Sequence, residues 1–186
     1  LAAHQIALQC ITLSFMIPVG LSQAVSVLVG RSYGANNLSD VGRYAAVGVL
    51  LGFVCSSIAA WVFWFFPEVI VNLFTQSKDT IETAALQHIG IQLLWVAALF
   101  QLVDGAQVIT MGALRGMKLA AAPTVITVLG YWGIGFPAAY FLMDHWGVQG
   151  VWGGLGIGLG VTAIMLITLF VVHLNQIKKA QEHCLA

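Results

Sequence analysis

Charge is what this sequence has least of. Seven Lys and Arg and seven Asp and Glu make up 8% of 186 residues, while 60% are hydrophobic. Soluble domains carry roughly 25% charged residues, so the composition points to lipid as the solvent. The net charge is zero and no basic stripe exists for a phosphate backbone to follow, which excludes general nucleic-acid binding. Cysteine is also scarce. Cys10, Cys55 and Cys184 are odd in number and widely spaced, and the first two fall in apolar runs, so they read as small hydrophobes. No His and Cys spacing suits zinc, and metal catalysis is not expected. Ser14, Ser22, Ser26, Ser56 and Ser57 have no histidine at a spacing that suggests a hydrolase. The glycine-rich stretch Gly30-Arg31-Ser32-Tyr33-Gly34-Ala35 lacks the lysine of a phosphate loop and follows no strand. These absences weigh against a membrane-embedded enzyme. Internal repeats and low-complexity segments are absent too. Leu1 is not a methionine and opens inside an apolar stretch with no basic leader or cleavage site, so a piece of a longer protein is expected.

What is present is a set of long uncharged runs. Residues 1–30, 44–67, 119–143 and 145–177 contain no Asp, Glu, Lys or Arg, and residues 83–114 contain only Asp104. About 20 apolar residues cross a bilayer as a helix, so five spans are expected, near 5–29, 44–66, 86–112, 120–142 and 150–173. A β-barrel would alternate in segments of about ten residues, which these runs do not. The expectation is an all-α, polytopic membrane helix bundle forming a single membrane domain. Arg31, Arg43, Arg115, Lys118, Lys178 and Lys179 follow or precede runs on one side, and Lys78 is the seventh base. The positive-inside rule makes that side, with the C-terminus, cytoplasmic and places Leu1 outside. Val69 to Phe74 suits a short interfacial helix, and Asp144-His145-Trp146-Gly147 suits a tight turn between the last two spans. Trp61, Trp64, Trp132, Trp146 and Trp152 lie mostly near run ends, as interfacial anchors do. His4, His88 and His173 lie near span ends, and His145 and His183 in a loop and the tail; none has a strong claim as a ligand.

Two features bear on packing. Pro18 in the first span and Pro137 in the fourth, near Gly130, Gly133 and Gly135, each remove a backbone hydrogen bond and suggest a helix kink. A static bend and a hinge both fit. Gly150, Gly154 and Gly158 recur every four residues, as do Gly156 and Gly160, a spacing that lets two helix backbones approach.

Asp104 is the residue with chemistry to offer. A carboxylate at bilayer depth costs roughly 2.5–3.5 kcal/mol on lenient scales, and such groups normally face the interior and serve ion or substrate movement. At 100° per residue, Gln101 and Gln107 fall about 60° to either side of it. Phe100 and Met111 share that face, so that Gln101, Gln107, Phe100 and Met111 are the candidate cavity-lining residues, and Trp95 lies roughly opposite. An acid flanked by amides suits Na⁺ or a proton, while Phe100 and Met111 suit a flat, greasy cation. The plainer alternative is that Asp104 and the two glutamines bridge helices by hydrogen bonds.

Three stretches together resemble the multidrug and toxic compound extrusion (MATE) family, most closely its NorM-type bacterial branch. They are Ala2-Ala3-His4-Gln5-Ile6-Ala7-Leu8-Gln9 with Phe15-Met16-Ile17-Pro18; Val27-Leu28-Val29-Gly30-Arg31-Ser32-Tyr33-Gly34; and Asp104-Gly105-Ala106-Gln107-Val108 leading to Gly112-Ala113-Leu114-Arg115-Gly116. The family has twelve helices in two lobes around a cleft, and the resemblance implies that this chain supplies the eighth to the twelfth. It implies a secondary antiporter in a bacterial inner membrane that exports cationic and aromatic drugs in exchange for Na⁺ or H⁺. No cofactor beyond that coupling ion is implied. The family's second-lobe carboxylate falls on Asp104. Its partner glutamate belongs to the preceding helix, which with the first lobe lies outside this sequence. Some relatives carry a tyrosine four residues before the acid, where this chain has Phe100. A lipid-linked precursor flippase is one alternative, although no Lys or Arg lies inside a span. A structural membrane subunit is another, and it would leave Asp104 without a task.

Overall fold

The computed structural model describes the backbone of residues 2–74 and 81–185. Side chains are described outside 1–7, 71–89, 148–149, 182 and 184–186. The expectations for Leu1, Lys78, His4, His88 and Cys184 lie outside the described residues. Among the described residues the structure is helical, with no strand: α1 (Ala2–Gly34), α2 (Leu38–Phe65), α3 (Pro67–Phe74), α4 (Ile81–Gly116), α5 (Ala121–Val128) and α6 (Phe136–Leu185). A π-helical segment, Leu129–Gly135, joins α5 to α6.

Among the described residues, five stretches are long and apolar enough to cross a membrane: Leu8–Gly34, Leu38–Phe65, Gly90–Gly116, Ala121–Gly147 and Gly150–Gln181. In hydrocarbon the backbone has no water to bond, so a helix that satisfies its own N–H and C=O groups is the stable form. The outward faces are correspondingly greasy. Leu13 is 77% exposed, Trp132 71% and Phe141 69%. Contiguous apolar surface on this scale is untenable in water and ordinary against lipid.

The turns are short because the helix ends close on themselves. After α1, Asn37 N–H bonds Ser32 O at 3.0 Å and Asn36 N–H bonds Tyr33 O at 3.1 Å, with Asn36 left-handed at φ 59°. The same six-to-one and five-to-two pair recurs after α4, with Leu119 and Lys118 bonding Leu114 and Arg115 at 3.0 Å and Lys118 at φ 63°. Both are Schellman closures that satisfy the last orphan carbonyls. Asn37 then caps α2 by accepting from Asp40 N–H.

The last two spans reverse at a single residue. Gly147 has φ 56° and ψ −133°, a conformation that glycine alone adopts cheaply. Beyond it the glycine stripe runs back along the preceding helix. A Cβ on Gly150 would strike Leu142, one on Gly154 the backbone of Ala139, and one on Gly158 the backbone of Gly135. Thr162 closes on Gly130 in the same way. Backbones in this hairpin touch because neither side carries a side chain between them.

Helix α4 is the centre of the bundle, packing on α1, α2, α3 and α6. Its glycines serve the other interfaces: Gly112 and Gly116 press on Ser22 and Ser26 of α1, and Gly105 on Ser56 of α2. Two apolar clusters grip α4 at different heights. Leu94, Ala97 and Ala98 join Ala60 and Phe63, while Ile109, Ala113, Leu114 and Met117 join Val25, Val29, Val41 and Leu166. Between them lies a stretch of α4 that holds Gln101, Asp104 and Gln107.

Pro18 is buried inside an unbroken α1. Pro137 lies one residue beyond the cap of the π-helical segment, Phe136, whose N–H bonds Tyr131 O, five residues back. A proline ring clashes with the carbonyl four residues before it, here that of Gly133. The wide π turn opens the coil at that carbonyl, so it accommodates the proline without ending the helix.

Candidate ion and substrate site

Asp104 is half-buried on the side of α4 that neither neighbour fills. The α1 and α2 contacts lie on the Gly105, Gly112 and Gly116 side, about 80–120° round the helix from Asp104. The hairpin meets the opposite flank through Phe100, whose ring packs edge-on against Trp152 at 5.9 Å and whose far edge meets Gly156. Helix α1 makes at most marginal contact with the hairpin, so the strip of α4 between them is left open. Asp104 stands in that strip.

The hairpin brings up Tyr131. Its hydroxyl lies within electrostatic reach of both Asp104 and the Gln107 side chain. Gln107 is 4% exposed, and its Oε1 has no partner. A buried carbonyl oxygen without a donor is costly, by about 1–3 kcal/mol. Carboxylate, amide and phenol therefore lie on one flank of α4 within about a helical turn of one another, with the Phe100–Trp152 pair a turn away. This oxygen set suits a hard monovalent cation or a proton, and the aromatic pair suits an apolar or cationic ring. Among the described residues no group of three His, Cys, Asp or Glu side chains could hold a metal ion.

The structure separates residues that the sequence places together. Gln107 belongs with Asp104 and Tyr131. Gln101, 1% exposed with its Nε2 unpartnered, lies 40° from Gly105 and turns toward α1 and α2. Ser56 Oγ, across from Gly105, is likewise buried without a partner. Met111 packs against the lower apolar cluster. Trp152 meets Phe100 rather than standing free at a boundary. Trp95 lies on the far side of α4, stacked on Trp64 at 6.0 Å.

Tyr131 escapes a sequence reading because its run carries no charge and its polar neighbours are on another helix. Its one signal is position, a polar aromatic between Gly130 and Gly133 just ahead of Pro137. The π-helical segment that aims it is visible only in three dimensions. Such bulges gather at functional sites.

Six basic residues gather at one end of the bundle. Gly30 packs on Gly116, Gly42 on Leu174, and Gln181 reaches the carbonyl of Asn36 at 3.5 Å. Arg31, Arg43, Arg115, Lys118, Lys178 and Lys179 all lie near these contacts in sequence. Asp144 and Glu68 mark the other end.

Comparison with known proteins agrees with this architecture. The MatE family profile matches residues 1–141. A probable multidrug resistance protein NorM of Pseudomonas aeruginosa is 40% identical over 172 residues, 91% of this chain and 35% of that protein. The multidrug resistance protein NorM of Burkholderia vietnamiensis is 38% identical over 172 residues, 91% of this chain and 37% of its own length. The chain thus spans little more than a third of these relatives. An inward-facing multidrug resistance MATE transporter superposes with a TM-score of 0.84 over 93% of this chain and 39% of its own, at 19% identity. A MATE structure in complex with MaL6 gives 0.85 over 96% of this chain and 39% of its own, also at 19% identity. That degree of likeness speaks to the fold. With the family profile matched over most of its length, the chain belongs to the MatE family.

Proposed function

We propose that this chain is part of a secondary antiporter that exports cationic or aromatic drugs in exchange for Na⁺ or H⁺. Asp104 takes the inward-moving cation, and the observation that carries the reading is that this half-buried carboxylate lies within electrostatic reach of Tyr131 on the flank of α4 that also holds the unpartnered Gln107 Oε1. A cation entering from water loses ligands, and the unpartnered Gln107 Oε1, the Tyr131 hydroxyl and the carboxylate replace them. A proton on Asp104 neutralises the same charge by another route. Drug and ion are coupled because each binds the same strip of α4, next to Phe100 and Trp152. A ligand shifts a two-state carrier only through unequal affinity for its two states. An ion that discharges Asp104 changes what the open strip will accept, which is such an inequality.

The relatives' names, as multidrug resistance proteins, support the substrate class. The rest of the relatives' length has room for a first lobe and a preceding helix, and an acid on that helix would complete the cation site from the open side of α4. By this reading the protein lies in a bacterial inner membrane, with the basic end of the bundle in the cytoplasm.

The test is Asp104→Asn in the full-length protein, reconstituted in vesicles with an imposed Na⁺ or pH gradient. Cation-driven dye efflux is expected to fall to the level of protein-free vesicles while membrane insertion stays normal. Unchanged efflux by a well-inserted variant would refute the role of Asp104.

A further inference from the structure

On the opposite side of α4 from Asp104 runs a second concavity. Ala46, Val49 and Phe53 of α2 form one wall, and Phe170 and Val171 of α6 form the other. Ala113 of α4 is part of the floor; by register it points 180° from Asp104. Thr110 also reaches the floor, but its hydroxyl donates to Ala106 O at 2.8 Å, so the lining presents almost nothing polar. The groove encloses about 580 Å³, within the range of about 300–1,000 Å³ typical of small-molecule sites. It runs along α2 from Gly42 to Phe53, a rise of about 16 Å at 1.5 Å per residue. That is close to half of a hydrocarbon core about 30 Å thick, the depth of one leaflet.

The groove ends among bases. Gly42 meets Leu174 there, and about two turns further along α6 Gln181 reaches Asn36. Lys178 lies between those two contacts and within about 20–40° of the stripe formed by Ile167, Val171 and Leu174. Arg43 is exposed and stands about 20° from the direction of Leu50, at the edge of the α2 wall. Asp40, the nearest acid on α2, is one turn and about 60° from Arg43, but it points about 160° away from Gly42 and accepts a hydrogen bond from Asn37 at 2.8 Å. The slot is therefore apolar for the depth of one leaflet and positively charged at its mouth.

We infer that this groove seats one acyl chain of an anionic phospholipid, whose phosphate rests between Arg43 and Lys178. Basic pockets between membrane helices favour anionic headgroups at about 1 kcal/mol per cation near the surface, roughly fivefold in affinity each. A zwitterionic lipid fits the slot equally well and gains much less from the two cations. The seat joins α2 to α6, which meet at Gly42 and Leu174. A bound lipid thus braces the two sides of α4 from behind the face that carries Asp104.

The test uses the full-length protein in nanodiscs containing phosphatidylglycerol or phosphatidylcholine with the same diazirine-bearing acyl chain. After illumination, the phosphatidylglycerol probe is expected to label the peptides containing Ala46–Phe53 and Phe170–Val171 at least fivefold more than the phosphatidylcholine probe. The combined Arg43→Gln and Lys178→Gln variant is expected to erase that preference and leave phosphatidylcholine labelling unchanged. Lys179→Gln, which points away from the stripe, is expected to keep it. Ala46→Trp fills the slot and is expected to suppress labelling there but not at Leu13 or Trp132. Equal labelling by the two probes would reduce the groove to ordinary annular contact and overturn the inference. So would the absence of label in the groove, meaning that another part of the protein covers it, or a preference that survives the double variant.

Discussion

Adding one methyl group at Gly154 tests whether the last two spans are held together by bare backbone contact. An alanine Cβ there falls 2.6 Å from the carbonyl carbon of Ala138 and closer still to the backbone of Ala139. Carbon atoms rest at about 3.5–4.0 Å, so the helices must part by roughly 1 Å. Backbone atoms, unlike a side-chain tip, have no rotamer in which to retreat. Overpacking of this kind costs about 1–3 kcal/mol. Alanine also improves helix propensity by up to about 1 kcal/mol over glycine, which would blur a single measurement. Gly160→Ala removes that ambiguity. It lies on the same helix and gains the same propensity, yet its Cβ meets nothing within 4 Å. The difference between the two variants isolates the contact, at about 1–3 kcal/mol or roughly 5- to 150-fold in the folding equilibrium. The assay is thermal unfolding of the full-length protein in detergent, followed by loss of the monodisperse species. Gly154→Ala is expected to melt below the wild type and Gly160→Ala at or above it. Equal melting temperatures for the two would refute the close approach of the helices.

Two further outcomes follow from single residues. Gly147→Ala has open space around its Cβ but must hold φ 56° and ψ −133°, which costs a non-glycine residue about 1–3 kcal/mol; a lowered melting temperature is expected, and an unchanged one would mean that the turn relaxes elsewhere. Tyr131→Phe removes one oxygen from the proposed cation site and is expected to raise the cation concentration for half-maximal efflux about 2- to 12-fold, the equivalent of one hydrogen bond of 0.5–1.5 kcal/mol. An unchanged half-saturation would separate Tyr131 from the ion.

How much was legible in the sequence differs from one feature to the next. The glycine repeat in the last span was readable because the spacing of small residues reports a contact face whatever lies opposite. Its partners, Leu142, Ala139, Gly135 and Gly130, were not, since any helix with a smooth face would serve. Asp104 stood out because a charge in an apolar run is anomalous on its own terms. The symmetric pair of flanking glutamines was not resolved. Register places both within 60° of the acid, but only the position of the hairpin decides that Gln107 meets Tyr131 while Gln101 turns into the packing against α1 and α2.

By itself, then, the chain's hydropathy and charge determined that it forms apolar helices of membrane-spanning length, five in number. Hydrocarbon penalises every unpaired backbone group, so a long uncharged run has one stable conformation and needs no partner to declare it. The tertiary structure alone decided which faces of α4 are closed by glycine contacts, which is left open beside Asp104, and where a groove remains between α2 and α6. It also decided the π-helical turn that carries Tyr131 toward Gln107. Those outcomes depend on side chains that meet across helices far apart in the chain, and a linear pattern records each face without recording what it meets.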